Sequence, residues 1–385
     1  MEMKQIYEIL NDVNKEVLGD SVILQEDLGN IVDVGNAIFD NNSFDHYCKS
    51  LVDKVGRVVF VNRKYSGRVP SILREGWEFG AVLQKLACEL PEAQENESWK
   101  LENNQSYDPN IFKAPTVTSH FWNKRTTFEV QMSFAEEQVK SAFTSAEDVM
   151  AFISMIYNAI EMRLTIDTDA LVMRTINNLV AETVYTDFGA NSIAGGSYAK
   201  AVNALYLYNQ TVESADQLTA ATCMESPAFL RFTAALIGMY IDRMAVANTM
   251  YNIDGKVRFT PKDLLNVVVL SEFENKLKTN LQSDTFHDEL VSLPKHDTVP
   301  FFQNPGDYSV SEAGKIYVTT ASGHSVTVTG VLAVMFDRDA AMVANMNRRT
   351  TAQYNAKGEF TNNFFKQDCG YLNSFQEQAV VFFAA

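Results

Sequence analysis

Between Thr116 and Phe188 the chain runs for 73 residues without a glycine or a proline. These two residues are the strongest breaks in regular structure, so the stretch must be spent on long elements. Val149, Phe152, Ile153, Ile156, Ile160 and Leu164 recur at helical spacing, followed by Leu171, Ile176, Leu179, Val180 and Val184. Thr144 with Glu147, or Ser145 with Asp148, supplies a capping start. A helix from Thr144 to Asp187 would be about 60 Å long at ~1.5 Å per residue. Thr165 to Asp169 reads TIDTD, a run of β-branched and Asp residues with low helix propensity. The pattern therefore predicts one long helix, bent or broken there, with a buried stripe of Val149, Phe152, Ile153 and Ile156.

The segment before the helix is β-like. Trp77 to Leu90 reads as one strand and Pro115 to Phe134 as another, in which Phe128, Val130, Met132 and Phe134 alternate with polar residues. Between them lies the polar run Pro91 to Ala114, which carries Trp99, Tyr107 and Phe112. Loops of that length are uncommon in a compact domain unless they are functional. A lone two-stranded arm is marginal in water, so it must pack on another surface. Aromatic enrichment in interface cores makes Trp99, Tyr107 and Phe112 the candidate intersubunit anchors.

The remaining chain is mixed. Met3, Ile6, Leu10, Val13 and Val17 give an amphipathic helix closed by Gly19. Ser43 starts a second helix to about Val55, and Arg57 to Lys64 reads as a strand. Ser133 with Glu136 resembles a capping box for a short helix to about Phe143. A helix is expected from Tyr198 to Tyr208 and another after Ser226-Pro227, where proline suits the first helical position. Asn248 to Ile253 and Leu264 to Leu270 read as strands, and Ser271 starts a helix through Leu281. After Pro294 come a hairpin around Ser322-Gly323, a strand from Val331 to Phe336, and a C-terminal sheet of Arg348 to Asp368 with Ala379 to Ala384.

Charge and chemistry exclude several roles. A net charge of −16 opposes a phosphate-gripping nucleic-acid binder. Cys48, Cys88, Cys223 and Cys369 lack CxxC spacing and read as reduced thiols. The acidic, amphipathic N-terminus is not a signal peptide, and no apolar run reaches ~18 residues. His46, His120, His287, His296 and His324 offer no paired metal-ligand spacing. Gly189 to Lys200 has neither P-loop nor GxGxxG spacing. Asp337-Arg338-Asp339 reads as a capped turn, and Cys369 has no partner histidine to make it a nucleophile. No catalytic residue, cofactor site or metal site is expected.

The order of elements, and the strings LPEAQENESWKLENNQSYDPN, SFAEEQVKSAFTSAEDVMAFI, MRTINNLVAETVY, FTPKDLL, LQSDTFHDELVSLP, VMFDRDA and TTAQYNAKGEFTNNFF, resemble major capsid proteins of tailed bacteriophages with the Hong Kong 97-type fold, in particular those of phages of Gram-positive hosts. The resemblance runs from about Trp77 onward. It implies an α+β fold with an N-terminal arm (1–76), an extended β-hairpin loop (77–134) lying on the next subunit, a peripheral domain with a spine helix (135–188), an axial domain (189–293) and a β-rich C-terminal part (294–385). It further implies self-assembly into pentamers and hexamers of an icosahedral shell enclosing double-stranded DNA without specific binding. A portal is implied during assembly. So is a separate scaffolding protein, since only about 75 residues precede the loop, too few for an arm plus a large prodomain. The protein is expected in the virion after assembly in the host cytoplasm. Lys85, Lys100, Lys113 and Lys124 lie on the arm, but no partner motif for a covalent crosslink matches. The alternatives are an encapsulin-type compartment shell, which shares the fold, and an α/β enzyme with unrecognised residues.

Overall fold

The computed structural model describes residues 3–19, 30, 33–34, 36–37, 50, 69–75, 83–88, 93, 95–106, 110, 112, 114–122, 125–135, 146–284, 295–303, 310–320 and 323–385. In chain order these form α1 (Met3–Leu18), β1 (Leu73–Glu75), β2 (Leu83–Cys88), β3 (Val117–Trp122), β4 (Arg125–Ala135) and α2 (Ala146–Phe188). Next come β5 (Ala201–Asn203), α3 (Ala204–Asn209), α4 (Pro227–Met244), β6 (Leu265–Leu270), α5 (Ser271–Asp284), β7 (Asp297–Val299) and the one-turn α6 (Val310–Ala313). The chain ends with β8 (Ile316–Thr319), β9 (Ser325–Val328), β10 (Val331–Asp337), β11 (Ala341–Asn355), β12 (Phe360–Asn373) and β13 (Ala379–Phe383). The expected capping pairs at Thr144 and Ser145, the second helix from Ser43 and the strand from Arg57 lie outside the described residues, apart from Ser50, which is helical.

The chain divides into two compact units, each built from three separate stretches. The first comprises residues 1–78, 125–174 and 343–371, and the second 79–124, 175–342 and 372–385. These units cross the sequential borders expected after residues 134, 188 and 293.

In the first unit, β1, β11, β12 and β4 form one sheet in that order. β4 pairs antiparallel with β12 from Arg125↔Gly370 to Ala135↔Phe360. That register places Phe128, Val130, Met132 and Phe134 beside Gln367, Phe365, Asn363 and Thr361 on the buried face. On the opposite face polar groups pair across the strands: Lys366 Nζ lies 3.1 Å from Glu129, and Thr127 Oγ1 donates to Asp368 at 2.6 Å. Ser133 Oγ donates to Asn362 Oδ1 at 2.5 Å, so Ser133 is a strand residue and not a helix cap. The α1 residues Ile9, Leu10 and Val13 are buried, and Gly19 ends that helix at φ +72°.

The long helix α2 is continuous for 43 residues, so of the bend or break expected at Thr165 to Asp169 the break does not occur. Propensity there is outweighed locally and by burial. Thr168 Oγ1 donates to Leu164 O at 2.7 Å, satisfying its hydroxyl inside the helix, and Arg163 forms a forked pair with Asp167 one turn on. Ile160, Leu164, Thr168, Leu171 and Val172 are all buried. Gly189, at φ +61°, closes the helix with its N–H on Tyr185 O.

The second unit is organised on a five-stranded sheet in the order β5-β13-β10-β6-β7. Every residue of β10 and β13 is buried, as expected of strands covered on both faces and written as unbroken apolar runs. Tyr240 of α4 meets Phe382 edge-on at 5.2 Å, and Ser226 caps α4 by accepting from Phe229 N–H. The expected C-terminal sheet is thus two: β11 and β12 belong to the first sheet and β13 to the second. The expected helix from Tyr198 starts only at Ala204, after β5 pairs in parallel with β13. Asn248 to Ile253 is no strand, having a single bridge from Asn248 to Arg258.

Candidate functional site

Among the described residues, the arm is the feature that one chain leaves least covered. β2 and β3 pair antiparallel from Leu83↔Trp122 to Cys88↔Val117. The expected second strand, Pro115 to Phe134, is therefore two strands in two sheets: β3 completes the arm, whereas β4 carries the Phe128 to Phe134 face into the other sheet. The base of the arm is fixed within the second unit. Trp122 Nε1 donates to Asn373 O at 3.3 Å, and His120 Nε2 shares a hydrogen bond with the Gln376 amide nitrogen at 2.8 Å. His120 and Trp122 stack at 5.9 Å.

Counted from this base, the six paired residues a side span about 20 Å at ~3.3 Å per residue. The tip that follows is turned by a short 3-10 segment, Glu97–Lys100. Trp99 is 85% exposed and Phe112 88% exposed, with Leu101 close behind. Tyr107 lies outside the described residues. The tip also exposes Glu95, Lys100 and Glu102. Val117 and Phe121 line the open face of β3, while Thr118, His120 and Trp122 are half-buried. Sequence reasoning missed Leu101, Val117 and Phe121, although the alternation in VTSHFW carries the signal for the latter two. Large apolar side chains gathered this way on a projecting element mark a contact surface.

On the long helix, Ile153 and Ile156 are buried. Phe152 is half-buried with its ring edge-on to Phe134 at 5.5 Å, and the Val149 side chain lies outside those described.

Several titratable groups among the described residues hold elements of the fold together. The Cys369 thiol is buried, donates to Asn345 Oδ1 at 3.5 Å and accepts from the Gln367 amide at 3.4 Å. Burial pushes the Cys223 thiol up to about 11, far from a thiolate. Asp337 is the capped turn expected: its Oδ1 accepts from Asp339 N–H and its Oδ2 from Thr260 Oγ1, and burial raises its pKa. Burial opposes ionisation of Asp368, but hydrogen bonds from Arg349 and Thr127 outweigh it and hold the carboxyl below its ordinary value. Among the described residues no group of three His, Cys, Asp or Glu is placed to hold a metal ion. Among them also, no helix is long and apolar enough to cross a membrane.

Comparison with known proteins gives this arrangement a context. A family model described as Phi29-like phage major capsid protein matches residues 9–383. No curated protein matches the chain. A chain in the structure of the head fiber and inner core protein gp22 of bacteriophage P68 is similar in fold, with a TM-score of 0.50 at 9% identity over 83% of this chain and 85% of that one. The capsid structure of Staphylococcus phage Andhra gives 0.45 at 10% identity over 82% and 83%, and that of cyanophage P-SCSP1u gives 0.46 at 10% over 84% and 88%. The family model spans both units and every described element apart from Met3 to Glu8 of α1, and with it the chain belongs to the Phi29-like phage major capsid protein family.

Proposed function

We propose that the arm is the clamp between subunits of the shell, with the tip of one copy resting on its neighbour. As a major capsid protein of the Hong Kong 97-type fold, the chain is a structural component of the phage head and self-assembles into its shell. The single observation that carries the clamp is the tip, where Trp99, Leu101 and Phe112 stand in water when one chain is alone. Burying three such side chains on a neighbour contributes about 1.5–3 kcal/mol each to the contact.

On this reading the copies gather as pentamers and hexamers around packaged double-stranded DNA. The acidic chain, at −16, suits a wall that repels DNA more than one that grips it. The first unit corresponds to the peripheral domain and the sheet-centred second unit to the axial domain. A separate scaffolding protein and a portal take part during assembly in the host cytoplasm, and the protein has no catalytic activity of its own. The family match favours a phage shell over an encapsulin-type compartment. Deleting Glu95 to Gln105 tests the clamp. The expected product is a soluble, folded monomer that fails to close shells. Shells of normal size and stability from that variant would refute it.

A further inference from the structure

We propose that His120 and Trp122 are positioning residues for assembly: the chain between β12 and β13, Asn373 to Gln378, is a rigid seat that holds both and so sets the line of the arm. The inference rests on the clamp reading, since an arm must be aimed before its tip can reach a neighbour.

The seat is bonded on every side within the second unit. Ser374 N–H donates to Ala340 O at 2.8 Å and Asp337 N–H to Gln378 O at 2.9 Å, which fixes both ends on the turn after β10. Between them Phe375 O accepts from the N–H groups of Ile253 and Asp254, and Gln378 Nε2 donates to Arg258 O at 3.0 Å. Glu377 lies 3.7 Å from the Arg258 guanidinium. Asn373 Nδ2 donates to Thr175 O of α2 at 3.2 Å. Ser374, Gln376 and Gln378 are buried. A buried segment with these partners opens only when the core around it opens.

The arm has no such support of its own. Among the described residues, β2 and β3 form a sheet of two strands joined to no third, and such a pair is marginal in water. Two side chains on one face of β3 carry it to the seat. Trp122 Nε1 donates to Asn373 O, and two residues on, His120 Nε2 shares its hydrogen bond with the Gln376 amide.

The spacing of these two bonds is what makes them an aiming device. One bond would leave the strand free to swing about it. Two bonds about 7 Å apart along β3 fix its direction as well as its place. By the same lever, a slip of ~1 Å across that base becomes about 2 Å at Val117, where the paired strands end, and more at the tip. Side-chain contact is lost once surfaces part by about 1 Å. A tip that must meet a neighbour therefore depends on both bonds.

Hydrogen exchange read by mass spectrometry on full-length, unassembled subunits follows the arm at residues 83–88 and 117–122. His120→Ala with Trp122→Phe removes both bonds and keeps a ring at 122. Its arm amides should exchange at least ~10-fold faster than in the wild type, while β10 and β13 keep their protection. The same subunits should fail to close shells. His120→Gln, whose amide can pair with that of Gln376, should keep both the arm protection and the shells. Gln376→Ala should loosen the arm as His120→Ala does, and the two together no further. Unchanged arm exchange in the His120→Ala, Trp122→Phe variant overturns the proposal. Protection lost across β10 and β13 in Trp122→Phe alone also overturns it, since that side chain would then hold the unit and not the arm. A loosened arm that still closes normal shells overturns the proposal alone if deletion of Glu95 to Gln105 abolishes shells. Normal shells from that deletion overturn the clamp and the seat together.

Discussion

Glu274 offers the most direct test of how the second unit is held together. It lies in the first turn of α5, where a carboxylate also favours the helix dipole. Its Oε2 accepts from Thr298 Oγ1 at 2.7 Å, and its Oε1 from His296 Nε2 at 3.2 Å and from Lys278. Thr298 is on the edge strand β7, so one carboxylate ties α5 to the sheet. Burial opposes the charge, but the hydrogen bonds from Lys278, Thr298 and His296 outweigh it and lower the pKa from 4.5 to about 2. At about 1.4 kcal/mol per pKa unit, the folded state favours this carboxylate by about 3 kcal/mol. Because the folded pKa is depressed, that stability is present above the unfolded value of 4.5 and is lost as pH falls towards 2. Glu274→Gln keeps the volume and removes the charge. In urea denaturation of unassembled subunits, the variant should be about 2–3 kcal/mol less stable at pH 7, with the gap closing between pH 5 and pH 2. Both proteins share every other carboxylate, so the difference isolates this one. A gap that stays constant from pH 7 to pH 3 would refute the argument.

Three further substitutions probe the packing. Ile156→Ala should cost the first unit about 3 kcal/mol, since the residue is fully buried, while Phe152→Ala should cost about half as much because that ring is already half in water. Denaturant titration checks both, and a larger loss for Phe152 contradicts the packing. Gly330→Ala should cost about 3 kcal/mol or more, because Gly330 has φ +65° and an added Cβ would sit 2.2 Å from Ala384 O. Soluble expression and melting temperature read that outcome, and a near-neutral change contradicts the close approach.

Elements whose signal is local were legible in the sequence. The long helix followed from its periodicity, α4 from Ser226-Pro227, and the β8–β9 hairpin from its alternation and Gly323. Pairing over long distances was not. Alternation from Thr126 to Phe134 marks a strand but not its partner, which is β12, more than 220 residues away. For the same reason Arg348 to Asp368 and Ala379 to Ala384 read as one sheet, although the register separates them. The break expected at Thr165 to Asp169 rested on propensity, which burial of Leu164, Thr168 and Leu171 overrode. In the site, Trp99 and Phe112 stood out as aromatics in a polar run. Asn248 to Ile253 read as a strand, whereas its backbone makes only the single bridge from Asn248 to Arg258.

The central claim is that copies of this chain close a shell by covering one another's arm tips. A cryo-electron microscopy reconstruction of shells assembled from the full-length protein measures this at the residues concerned. The account predicts that Trp99 and Phe112, 85% and 88% exposed in the single chain, lie against a neighbouring copy in every capsomer. Shells in which both side chains remain in solvent, or fold back onto their own chain, would contradict it.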